Sequence, residues 1–119
     1  MQYLCLVYQE AQLDALSTSE YDPIMSEIRD YREELRQSGH YIASSFLQPV
    51  QAATTIRVRD GKLSISAGPF SETKQQLGGF YLIEARDLND AIRVASRMPS
   101  TRLGCIEVRP IKEFESTTR

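Results

Sequence analysis

Two segments of this chain are apolar on both sides, and that limits what it can fold into. In Tyr3-Leu4-Cys5-Leu6-Val7-Tyr8, extended backbone sends Tyr3, Cys5 and Val7 one way and Leu4, Leu6 and Tyr8 the other. Phe80 to Ala85 does the same, with Phe80 and Leu82 opposing Tyr81, Ile83 and Ala85. Strands with two apolar faces belong to a sheet covered on both sides. The chain offers few elements for the purpose.

Two helical stripes are present. Ile24, Ile28, Tyr31 and Leu35 recur at spacings of four, three and four, after N-cap hydroxyls at Ser17, Thr18 and Ser19 and before Gly39. Ser17 and Glu20 have capping-box spacing. Asp87, with Asp90 three residues on, opens a second helix carrying Leu88, Ala91, Ile92, Ala95 and Met98, which Pro99 stops. Ala11 to Ser17 is a mixed connection in which Leu13 and Leu16 can pack locally. Tyr41 to Leu47 and Leu103 to Pro110 read as strands. Thr55 to Arg59 and Lys62 to Ser66 alternate around Asp60-Gly61, a hairpin signal, placed at the edge or periphery of the sheet.

With that hairpin treated as an insertion, the order is β-α-β-β-α-β, an α+β, ferredoxin-like arrangement. Residues 1–111 form the domain and residues 112–119 a polar tail. Two helices cover one sheet face. A second copy of the chain is the simplest cover for the other, giving a two-fold homodimer; loops and the hairpin folded across it are the alternative.

Fourteen basic against sixteen acidic residues leave a net charge of -2, with no basic patch for nucleic acid. No run has the length of a membrane span, and a cytoplasmic protein is expected. Cys5 and Cys105 sit in apolar runs without neighbouring ligands and read as buried, reduced thiols. No cofactor fingerprint, phosphate loop or metal set is present, so none is expected.

Ala67-Gly68-Pro69-Phe70-Ser71-Glu72-Thr73-Lys74, running into Leu77-Gly78-Gly79-Phe80, is the densest motif. As structure, Gly68-Pro69 makes a turn, Phe70 drops its ring into the core, Ser71 caps a short helix and Gly78-Gly79 breaks it. As function, Glu72 and Lys74 beside backbone N–H groups at a helix start form a corner for an anion or polar molecule.

These residues resemble the signature of the YCII-related family, in particular its DGPF branch, D-G-P-F-x-E-x-K-E followed by L-x-G-[FY]. The similarity continues through Tyr81 to Leu88, Asp90-Ala91-Ile92 and Ile106 to Pro110. It implies a ferredoxin-like dimeric α/β barrel. Some members accompany extracytoplasmic-function sigma factors, which implies a transcription-related partner. Relatives in the broader group carry a His-Asp pair in the dimer cleft, with dehydrochlorinase activity among them. Here Ala67 and Gln75 replace the signature Asp and Glu, and a methyl group moves no proton.

His40 is the only histidine and the candidate catalytic base. It needs a carboxylate within reach, for which Asp22, Asp30 and Glu72 are the candidates. Three functions are consistent with the sequence. The first is a dimeric module binding a small polar or aromatic molecule near Phe70, Glu72, Lys74 and Tyr81. The second is a cofactor-independent lyase, isomerase or hydrolase using His40. The third is an accessory partner of a sigma factor.

Overall fold

The computed structural model describes residues 1–10, 18–71 and 73–113. The expected Ser17 cap, Leu13, Leu16 and Glu72 lie outside these residues. Four strands, β1 (Gln2–Glu10), β2 (Tyr41–Phe46), β5 (Gln75–Glu84) and β6 (Gly104–Pro110), form one antiparallel sheet in the order β2-β5-β1-β6. Helices α1 (Thr18–Gln37) and α2 (Leu88–Ser96) complete an α+β unit with the element order of a ferredoxin-like fold. Its smallest dimension is 19 Å, that of one sheet and one helical layer.

The alternation seen in the sequence sets the layers. Tyr3, Cys5, Val7, Tyr81 and Ile83 are buried with Tyr31 and Leu35 of α1 and Ala91, Val94 and Ala95 of α2. Leu4, Leu6, Tyr8, Phe80 and Leu82 point away from the helices and are only partly buried. The helices are tied together by the Tyr31 hydroxyl, which donates to the Val94 carbonyl at 2.6 Å.

Helix α2 is rotated from its expected stripe. Ala91, Val94, Ala95 and Met98 are buried, whereas Leu88 and Ile92 are exposed. The rotation turns Asp90, at the helix start, inward.

Strands β3 (Thr54–Arg59) and β4 (Lys62–Ala67) form the expected hairpin. Both turn residues have positive φ, 52° at Asp60 and 75° at Gly61, the combination a type I′ turn requires. The hairpin is a sheet of its own rather than an edge of the main sheet.

Three further expectations are corrected. Gly78 and Gly79 lie inside β5 instead of breaking a short helix. A Cβ on Gly78 would lie 2.7 Å from the Gln9 side chain, and one on Gly79 2.8 Å from the Ser45 carbonyl, so glycine serves close strand approach here. Phe70 is 78% exposed instead of anchoring the turn in the core. Cys5 is buried, but Cys105 is exposed, because its position on β6 faces away from the helices.

Candidate functional site

The end of α1 delivers the histidine. The His40 N–H donates to the Leu35 carbonyl at 3.0 Å and the Gly39 N–H to the Arg36 carbonyl at 3.2 Å, with Gly39 at φ 82°. That is a Schellman stop with glycine at its left-handed position. The chain then enters β2, and the His40 carbonyl accepts from the Glu84 N–H at 2.8 Å. His40 is therefore fixed by a helix terminus on one side and by the end of β5 on the other.

Asp90 comes to meet it. The Asp87 side chain caps α2 by accepting from the Asp90 N–H at 2.8 Å. This places Asp90 one turn in, with its side chain only 2% exposed. His40 Nε2 lies 3.3 Å from Asp90 Oδ2. The same carboxylate accepts from the Arg86 backbone N–H at 3.0 Å and from the Arg93 guanidinium, while Arg86 Nη2 is 3.6 Å away. The Arg86 backbone hydrogen bond leads in holding the Asp90 carboxyl far below its ordinary value. Arg93 and His40 reinforce it, and burial opposes it.

This decides the histidine's hydrogen bonding. An ionised Asp90 only accepts, so Nε2 is the ring's donor. Nδ1 is 2.7 Å from Ser38 Oγ, which also lies 3.1 Å from the Leu35 carbonyl. In the neutral ring Nδ1 accepts from the Ser38 hydroxyl. In the protonated ring Nδ1 donates to Ser38, whose proton turns to Leu35. Both charge states leave every polar atom of the relay paired, as a group that takes up and returns protons requires.

The pair opens on a cavity of about 400 Å³ lined by Ser38, His40, Glu84, Arg86, Asp90 and Arg93 among others. Two guanidinium groups and an imidazole surround one deeply buried carboxylate, an arrangement suited to a small anionic or acidic molecule. Among the described residues no group of three or more His, Cys, Asp or Glu side chains could hold a metal ion. No helix among them is long and apolar enough to cross a membrane.

Of the other site candidates, the described ones, Phe70, Lys74 and Tyr81, do not line the His40 cavity. Phe70 lines a separate, mostly apolar cavity of about 430 Å³ with Leu47, Pro49, Val50 and Leu77. Lys74 is exposed just before β5, and Tyr81 is wholly buried in the core. Burial pushes the Tyr81 phenol up to about 12. Asp90, the carboxylate that meets His40, was read in the sequence only as a helix-start residue. Two signals could have singled it out there: its position three residues beyond an N-cap acid, and its place in the stretch that resembles a family group whose relatives pair a His with an Asp.

The architecture and site define a two-layer α+β domain, consistent with a ferredoxin-like fold, with a histidine–carboxylate pair at a polar cavity. The chain belongs to the YCII-related domain family, whose model matches residues 1–115. It is 35% identical to an uncharacterized protein of Rhizobium meliloti (strain 1021), over 97% of this chain and 95% of that one. Among solved structures it is similar to the 5-chloro-2-hydroxyhydroquinone dehydrochlorinase of Burkholderia phenoliruptrix AC1100, in complex with 2,5-dihydroxybenzoquinone. The TM-score is 0.55, with 16% identity over 97% of each chain. At that identity the likeness is one of fold.

Proposed function

We propose that the protein binds a small anionic or acidic organic molecule in the His40 cavity and performs cofactor-independent proton transfer on it. The observation that carries this is the 3.3 Å contact between His40 Nε2 and the buried Asp90 carboxylate at the cavity wall. His40 is the general base, taking a proton through Nδ1 by way of the Ser38 hydroxyl. Asp90 orients the ring, and Arg86 and Arg93 attract the anion. Elimination and isomerisation both begin with such a proton abstraction. Dehydrochlorination by the similarly folded enzyme makes chlorinated hydroxyhydroquinones suitable probes.

The test is a thermal-shift and turnover screen with 2,5-dihydroxybenzoquinone and 5-chloro-2-hydroxyhydroquinone, extended to other small enolisable acids. A ligand of the native state raises the melting temperature. Binding together with turnover that is lost in His40→Ala supports the proposal. Binding with no turnover leaves a ligand-binding module. No binding by any compound, or turnover unchanged in His40→Ala, overturns it.

The partly buried face of Leu4, Leu6, Phe80 and Leu82 is read as the contact of a two-fold homodimer. Sedimentation at low micromolar concentration tests it, and a monomer there refutes it.

A further inference from the structure

One face of the hairpin is apolar over four adjacent positions and bare. Ile56 pairs with Ile65 and Val58 with Leu63, so all four side chains share a side. Each is between 61% and 65% exposed. Thr55, Arg57, Arg59, Lys62, Ser64 and Ser66 occupy the opposite side. The usual half-buried pattern is therefore present with nothing among the described residues to bury it.

The hairpin is closed at its base and forms a unit of its own. At its base the Gly68 N–H donates to the Ala53 carbonyl at 2.7 Å and the Thr55 hydroxyl to the Gly68 carbonyl at 2.8 Å. β3 and β4 make their principal contacts with each other. The radius of gyration is 16.6 Å, against about 13–14 Å for a compact chain of this length.

We infer that this hairpin is a docking arm for a second copy of the chain, its Ile56, Val58, Leu63 and Ile65 face lying on the partner subunit. Area is the reason for that occupant. From strand spacing and rise, the open face of the main sheet has a planar footprint of roughly 400 Å². Even allowing for surface relief, that is at the low end of the ~800 Å² per partner of a stable complex. The arm adds roughly half as much again. A two-fold axis uses each contact twice, so a pair of chains covers two arms and two sheet faces together. The inference rests on the homodimer proposed above and assigns its contact to the arm.

The test is sedimentation of the full chain beside Ile56→Glu/Ile65→Lys, whose opposite charges face each other across the hairpin and preserve its pairing. The expected result is a folded protein whose dimer dissociation constant rises at least about 100-fold. A dimer with an unchanged constant overturns the arm and leaves the homodimer standing; a wild-type monomer overturns both. Since the chain contains no Trp, Ile65→Trp gives a single-site readout that does not depend on the double variant. Its emission should be blue-shifted in the dimer and move to the red on dilution, with the midpoint seen in sedimentation. Red emission in a protein that sediments as a dimer refutes the contact.

Discussion

His40 Nε2 and Asp90 Oδ2 are 3.3 Å apart although fifty positions separate them in the chain. The contact exists because a helix stop fixes one residue and a helix start fixes the other, on the same side of the end of β5. Four outcomes follow from the arrangement around it and from the core beneath.

Asp90→Asn should alter the hydrogen bonding of the imidazole. With the carboxylate present, Nε2 carries the proton bonded to it. A carboxamide presents both a donor and an acceptor and no charge. Imidazole nitrogen NMR should show the Nε2–H tautomer in the neutral wild-type ring and a mixture in the variant. Turnover, once a substrate is found, should fall by about 100-fold or more. An unchanged tautomer would remove Asp90 from its orienting role.

Asp90 should also contribute to the acid limb of stability. Its carboxyl is held below the ordinary 3.8, so the unfolded chain binds the proton more readily than the native one. The contribution is complete above about pH 5 and is lost as pH falls towards the depressed native value. Urea titrations between pH 6 and 2 should therefore show a shallower acid decline in Asp90→Asn than in the wild type.

Tyr81→Phe should be neutral or stabilising, by up to about 1 kcal/mol. The hydroxyl is buried and has no hydrogen-bond partner among the described residues, so its removal relieves a desolvated polar atom. The ring remains in edge contact with Phe46, at a centroid distance of 6.1 Å. A loss above 1 kcal/mol in urea unfolding would mean that the hydroxyl is paired.

Gly39→Ala should cost about 1–2 kcal/mol, because φ is 82° there and an L side chain is strained in that region. No heavy atom lies within 4 Å of the added Cβ, so the cost is conformational rather than steric. Gly39→Asn should recover part of it, since Asn tolerates the left-handed region better. Equal losses for the two variants would contradict this account.

The element order was legible because it depends on short-range patterns. Alternation set the strands, Asp60-Gly61 the hairpin and Gly39 the helix stop. The α2 stripe was read correctly at Ala91, Ala95 and Met98 but not at Leu88 and Ile92, because those two fit the period as well as Val94 does, and packing on the sheet chose between them. Gly78-Gly79 read as a break for a similar reason. Glycine weakens a strand in isolation, and only the neighbouring Ser45 carbonyl, with the Gln9 side chain crowding Gly78, shows why glycine suits this close approach.

The sequence by itself determined which segments become strands and helices, that β1 and β5 are apolar on both faces, and that His40 directly precedes β2. Those properties are local, set by backbone sterics and the period of apolar residues. The tertiary structure alone decided that Asp90 is the carboxylate beside His40, that Phe70 and Tyr81 lie apart from that pair, and that the hairpin forms a unit of its own with its apolar face exposed. Such outcomes depend on how distant segments pack against one another, and no short window of sequence encodes that.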